Sequence, residues 1–242
     1  MADAALEALL EVQALDLSLD QLRHRRATLP ALGVIVECDA SIAAIDGGLG
    51  DVRDRAGELT RTSKRLEDEV ASLESKAAEA DRKLYSGSVT APRELQSLQD
   101  EVVSVRRHAR SVEDHLLEVM EEAEPVTSEL ERLEAGRQAA VERREQAVAE
   151  LAGARAGVDA EIADVEQQRA KAVDAVPADL LATYERLRPR LDGIGVARLE
   201  GNRCTGCHLT LPATEVDAIK RSAPGAVVFH EECGRILVRA AP

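Results

Sequence analysis

Residues 42–84 read IAAIDGGLGDVRDRAGELTRTSKRLEDEVASLESKAAEADRKL, and this stretch decides the fold. Within it Ile42, Ile45, Leu49, Val52, Ala56, Leu59, Ser63, Leu66, Val70, Leu73, Ala77, Ala80 and Leu84 follow one another by alternating steps of three and four. Only Ser63 is not apolar. Such spacing keeps one narrow stripe of a helix turned toward one partner. It is the a/d seam of a left-handed coiled coil, held for about six heptads.

The partner lies downstream. Leu95, Leu98, Val102, Val105, Ala109, Val112, Leu116, Val119, Ala123, Val126, Leu130 and Leu133 keep the same rule, which continues through Arg137, Ala140, Arg144, Ala147, Leu151, Ala154 and Val158. Arg137 and Arg144 are the polar exceptions, and an arginine can lay its stem on a seam with its head in water. A helix of this length runs on the order of 100 Å. Between the runs, residues 85–92 read YSGSVTAP. Gly87 and Pro92 break helices, and Thr90 can cap the next one. A short turn between two heptad runs predicts an antiparallel hairpin. A break near Pro30 and Gly33 separates an earlier helical segment carrying Leu15, Leu19, Leu22 and Leu29, which pairs with the end of the second arm. Gly47, Gly48 and Gly50 weaken the first arm, and Pro125 removes a backbone hydrogen bond from the second. The expected register sets these glycines opposite Glu129, level with Pro125, as either a static kink or a hinge.

Composition agrees with helices packed through narrow seams. Aromatic residues are 1% of the 242 residues: Tyr85, Tyr184 and Phe229. Charged residues are 31%, and a compact core of this size ordinarily needs more rings. The net charge of −14 excludes binding of phosphate backbones over the whole surface. The acidity is uneven: residues 61–113 and 194–242 are each close to neutral. No secretory leader is expected ahead of Asp3 and Glu7, no stretch is expected to span a membrane, and the chain is expected to be cytoplasmic.

The chemistry sits at the C-terminal end. Cys204-Thr205-Gly206-Cys207 is a Cys-x-x-Cys knuckle, and His230-Glu231-Glu232-Cys233 repeats its two-residue gap. Two such pairs offer four N/S ligands to one tetrahedral Zn²⁺: Cys204, Cys207, His230 and Cys233. His208 competes with His230 for the fourth position. Four protein ligands leave no place for a reacting water, so the ion is expected to be structural. A redox Cys-x-x-Cys lacks the βαβ context that it needs. Cys38 reads as a small buried residue. Short strands are expected at 196–199, 209–211, 226–229 and 236–238, and a helix at 213–221. The expected organisation is a hairpin over 1–175, a short helix and linker over 176–193, and a zinc ribbon over 194–242, folding independently of the hairpin and leaning on its metal.

This combination resembles the bacterial family of C4-type zinc ribbon domain coiled-coil proteins, across essentially the whole chain. The resemblance rests on Leu84-Tyr85-Ser86-Gly87 through Arg93-Glu94-Leu95-Gln96-Ser97-Leu98, on Val176-Pro177-Ala178-Asp179-Leu180-Leu181 with Tyr184, and on Cys204-x-x-Cys207 and Cys233-Gly234-Arg235-Ile236-Leu237. It implies a long helical hairpin bearing a zinc ribbon, without enzymatic activity. For some relatives it implies adaptors that bind the sigma-54 transcription factor, regulation of flagellar genes, or RNA binding. The family pattern has four cysteines, and here His230 stands in place of the third. The Ala- and Arg-rich composition hints at a high-GC genome, where that sigma factor can be absent.

Three function classes follow. The first is a non-enzymatic adaptor for a protein partner, in transcription or gene regulation. Tyr85 at the exposed turn is its natural contact, beside Arg82, Lys83 and Arg93, between which no acid intervenes. The second is RNA or DNA binding by the ribbon and the basic tip. The third, an enzyme, finds no phosphate-binding glycine loop and no recognisable nucleophile. His24, His108 and His115 stand singly on helices, where they read as solvated.

Overall fold

The computed structural model describes residues 2–223 and 226–239. Residues 224–225 and 240–242 of the expected ribbon fall outside them. Four helices come first: α1 (Ala2–Ala27), α2 (Pro30–Tyr85), α3 (Pro92–Val173) and α4 (Ala178–Leu187), the last continued by one 3-10 turn at Arg188–Arg190. Then follow β1 (Val196–Glu200), β2 (Arg203–Cys204), α5 (Ala213–Arg221), β3 (Val228–Phe229) and β4 (Ile236–Arg239). The fold is mainly α, a coiled-coil hairpin with a small C-terminal sheet. The break expected at Pro30 is there, while Gly33 lies inside α2. The residues expected to form a strand at 209–211 make only an isolated bridge, Thr210 to Arg203, because the first knuckle's turn takes up the chain there.

Packing divides the chain into two compact units, 33–148 and 1–32 with 149–242. These boundaries differ from the expected ones at 175 and 193.

In residues 33–148, α2 and α3 run antiparallel along the seam read from the sequence. Leu59, Leu66, Leu73, Ala109, Val112 and Val119 are buried together. Cys38 is buried one heptad before Ile45, as the seam continues. Ion pairs flank this seam on both sides. At the positions just after d, Arg53 meets Glu134 at 2.7 Å and Asp81 meets Arg106; at those just before a, Arg55 meets Glu122, and the His108 ring lies 3.8 Å from Glu69 as a polar contact. Each is solvated and adds little stability. Like-with-like pairing of the two flanks occurs only between antiparallel helices in one register, so the charges specify partner direction. The two seam arginines do more than snorkel. Arg137 Nε donates to Asp46 at 2.7 Å and Arg144 Nε to Asp39 at 2.5 Å, two aspartates one heptad apart.

The same register corrects the expected weak point. Asp46–Arg137 and Arg53–Glu134 bracket Gly47, Gly48 and Gly50, so these glycines lie at the level of residues 134–137, more than two turns from Pro125. Both helices continue unbroken through these positions.

A second expectation also changes. One helical stretch within Ala4–Tyr85 is long and apolar enough, by length and composition, to cross a membrane, with mean hydropathy 1.6. The apolar window is 11% buried, and a single such helix is weak evidence of a span. The apolar run around Val34–Val36 and Ile42–Ile45 is interrupted by Glu37 and Asp39, which pair with Arg143 and Arg144.

In the other unit the sheet runs β2-β1-β4-β3, with β1 and β4 parallel at its centre. Strand alternation gives it two buried faces. Val196, Ile236 and Val238 pack on Leu6, Leu9 and Val12 of α1 and on Leu180 and Tyr184 of α4. Ala197, Leu199 and Leu237 pack on Leu211, Val216 and Ile219. The ribbon therefore shares its core with α1 and α4. Polar contacts hold the same join. Arg198 forms a bidentate pair with Glu7, at 2.8 and 2.5 Å. Asp16, 2% exposed, accepts from Tyr184 Oη at 2.9 Å and from Arg169 Nε at 2.7 Å, with Arg188 at 3.5 Å. Burial, and then the Asp16 carboxylate, hold the Tyr184 phenol well above its usual range.

Candidate metal centre and hairpin turn

The two knuckles have the same backbone. In the first, Cys204 N donates to Leu209 O at 3.0 Å and His208 N to Cys204 O at 2.9 Å. In the second, His230 N donates to Arg235 O at 2.9 Å and Gly234 N to His230 O at 2.8 Å. His230 thus occupies the place of Cys204, and His208 occupies the place of Gly234. Both turn residues have positive φ, 64° at His208 and 70° at Gly234. That conformation is cheap for glycine and uncommon for other residues. His208 is exposed.

The structure brings Cys204, Cys207, His230 and Cys233 together, with one ligand atom of each within 4.8 Å of all the others. His230 Nδ1 lies 3.3 Å from Cys207 Sγ and 2.9 Å from Cys233 Sγ. Such a cluster can hold one metal ion. Three sulfurs and one imidazole suit Zn²⁺, and four protein donors complete a tetrahedron. Gly206 is required by close packing: a Cβ there would fall 2.6 Å from Arg235 Cδ and 2.9 Å from Ala197 Cβ. Arg235 itself is pinned by donating to Ile194 O at 2.9 Å and Leu191 O at 3.3 Å. The sequence revealed the four donors; the equivalence of the two knuckles, and with it the role of His208, appears only in the backbone.

The hairpin turn lies far from this centre in sequence. Tyr85 ends α2 and is 82% exposed. Ser86 Oγ closes the helix end by donating to Lys83 O at 2.8 Å, and Gly87 turns the chain at φ 72°. Arg82, Lys83 and Arg93 are exposed. Lys83 pairs with Glu79 at 3.1 Å, while Arg82 and Arg93 meet no acid among the described residues. Of the three aromatic side chains, Tyr184 is buried, Tyr85 is exposed and Phe229, on edge strand β3, is 44% exposed. The three helix histidines are exposed, as expected; His108 and His115 lie near single glutamates.

Comparison with known proteins agrees with this architecture. The family model of the CT398-like coiled coil hairpin domain matches residues 12–192, and that of the C4-type zinc ribbon domain matches residues 203–237. An uncharacterized protein of Mycobacterium tuberculosis (strain ATCC 25618 / H37Rv) is 32% identical over 240 residues, covering 96% of this chain and 94% of that one. Another, from Mycobacterium leprae (strain TN), is 29% identical over 229 residues, covering 92% and 95%. A solved structure from Mycobacterium smegmatis superposes with a TM-score of 0.77 at 23% identity, and that of CT398 from Chlamydia trachomatis with 0.63 at 19% identity. Both cover 98% of each chain and speak to the fold.

Proposed function

Since the chain belongs to the CT398-like coiled-coil hairpin family and carries a C4-type zinc ribbon domain, we propose that it is a non-enzymatic adaptor whose hairpin turn docks a protein partner. The observation that carries this reading is Tyr85. In a chain with three aromatic side chains, one stands 82% exposed at a turn, where it stabilises no core. Beside it are Arg82 and Arg93, with no acid between residues 82 and 93. A ring flanked by guanidinium groups suits an acidic, partly apolar protein segment. The reading places the protein in transcription or gene regulation, in a reducing cytoplasm where its thiols stay free. Four protein donors leave a bound zinc no open position, which argues for a structural ion and against catalysis at that centre.

The test is affinity capture of the tagged full chain from its own lysate, with and without nuclease, beside a Tyr85→Ala variant. The expected result is a defined protein that survives nuclease and is lost with Tyr85→Ala. Capture that persists in the variant removes the turn from the interface.

A second reading rests on Phe229. This ring is half exposed beside the knuckles, and the ribbon also presents the exposed cations Arg203, Lys220 and Arg221. An exposed ring on a domain that also carries exposed cations can stack a nucleic-acid base. Recovery of RNA or DNA whose binding falls steeply with salt, and is lost in Phe229→Ala, would favour it.

A further inference from the structure

His230 stands where a knuckle built for cysteine would place a sulfur, and this limits how it can bind metal. A cysteine Sγ is one bond from Cβ. In histidine, Nδ1 is one bond further out and Nε2 two. Only Nδ1 keeps the ion near the position that the three thiolates fix. The side chain is turned accordingly, with Nδ1 at 2.9 Å from Cys233 Sγ and 3.3 Å from Cys207 Sγ.

The other ring nitrogen has no such support. His230 is 1% exposed, and its Nε2 has no hydrogen-bond partner among the described residues. Once Nδ1 binds a cation, Nε2 must carry the ring proton. Metal-bound histidines ordinarily donate that proton to a carboxylate, a carbonyl or water, which strengthens the ring as a ligand and fixes its orientation. Among the described residues the buried N–H points at no acceptor. The donor set is weaker in charge as well. Three thiolates and a neutral imidazole leave the centre with one negative charge, where four thiolates would leave two.

We propose that the metal centre is a three-thiolate, one-imidazole site closed by His230 Nδ1, and that His230 is the corner at which the ion is surrendered. The chain then carries a zinc ribbon of graded retention: its thiolate knuckle holds the ion while the histidine knuckle lets go first. This inference is independent of what the hairpin turn binds.

The test uses the full chain and three readouts. First, the parent, His230→Cys and His208→Ala are loaded with Co²⁺ and their absorption spectra compared. His230→Cys is expected to move the ligand-field bands to longer wavelength and to strengthen the thiolate charge-transfer band. His208→Ala is expected to match the parent. Second, zinc transfer to a chromophoric chelator is timed. His230→Cys should slow it by about tenfold or more, the scale at which ligand support alters metal affinity. Third, a long-range ¹H–¹⁵N spectrum of the zinc-loaded parent should show the ring proton on Nε2, and this needs no variant. A cobalt spectrum unchanged in His230→Cys, or altered in His208→Ala, overturns the ligand assignment. A ring proton on Nδ1 overturns the coordination mode. A shifted spectrum with equal or faster zinc transfer in His230→Cys overturns the weak corner.

Discussion

Gln13 and Val196 are joined by two hydrogen bonds of 2.8 Å: Gln13 Nε2 donates to Val196 O, and Val196 N donates to Gln13 Oε1. A side-chain amide here acts as a neighbouring strand would, satisfying both backbone groups of the first residue of β1. Val196 is fully buried and Gln13 is 7% exposed, so water cannot take over. Gln13→Leu keeps the volume and orphans both groups, at about 2–4 kcal/mol of stability. Denaturant unfolding followed by sheet-region probes reads this directly. A loss below 0.5 kcal/mol on the scale of an ordinary surface change would mean that β1 finds other partners.

Asp16 gathers a phenol and two guanidinium groups beneath the same join. Asp16→Ala removes the buried acceptor of Tyr184 and Arg169, while Arg169 and Arg188 keep Glu185 and Asp20, and the expected cost is about 2 kcal/mol. Tyr184→Phe removes one hydrogen bond to a charged acceptor and should cost about 1–2 kcal/mol. The milder variant also tests the site's response to alkali. The folded phenol is held above its unfolded value by burial and by Asp16. Its contribution is therefore complete below the ordinary tyrosine pKa of about 10 and is lost as pH climbs through the folded value. Unfolding free energies of parent and Tyr184→Phe should differ at pH 8 and converge as the pH rises past about 10. Parallel curves would remove Tyr184 from the alkaline response.

How far these features were legible depends on their range in sequence. The seam was readable because a heptad repeat is a local pattern: Leu59, Leu66 and Leu73 announce their own burial. The metal cluster was readable because Cys-x-x-Cys and His-x-x-Cys carry their geometry in a two-residue gap. Gln13 and Asp16 gave no such signal. Their partners lie 183 and 168 residues away, and a lone polar residue on an amphipathic helix looks like a solvated one until its partner is seen. The packing of the ribbon on α1 and α4 gave no signal for the same reason, since the short strands show apolar alternation but not which element covers each face. The Gly47–Gly50 level was misplaced because heptads fix the seam while cross-helix charges such as Arg53–Glu134 fix the register.

The seam arginines allow a test of register against stability. Arg137 and Arg144 occupy core-type positions yet reach out to Asp46 and Asp39. Replacing both by leucine, as Arg137→Leu/Arg144→Leu, should raise the thermal midpoint of the hairpin, because apolar burial replaces two solvated ion pairs of small net value. It should also weaken the choice of register, since a buried polar residue discriminates between alignments. Disulfide trapping between cysteines placed in-register and one heptad out reads the second effect. A lower midpoint in the double variant would show that these pairs contribute more than solvated charges normally do.

Metal removal should reach further than the ribbon. The central strands present Ala197, Leu199 and Leu237 to the knuckle side and Val196, Ile236 and Val238 to α1 and α4. Losing the ion loosens Cys204 and the core around it, and with them the strands that form one wall for Leu6, Leu9 and Val12. A sheet this small has little else to hold it. Chelation, or Cys204→Ser, is therefore expected to speed amide exchange in α1, α4 and the strands, and to raise binding of an apolar dye. Protection along 42–123 should persist, because that seam buries its own leucines. The helical circular-dichroism signal should fall modestly, by the share that α1, α4 and α5 contribute. If α1 amides kept their protection without metal, the ribbon would be an independent unit after all, and the shared core would be packing without coupling.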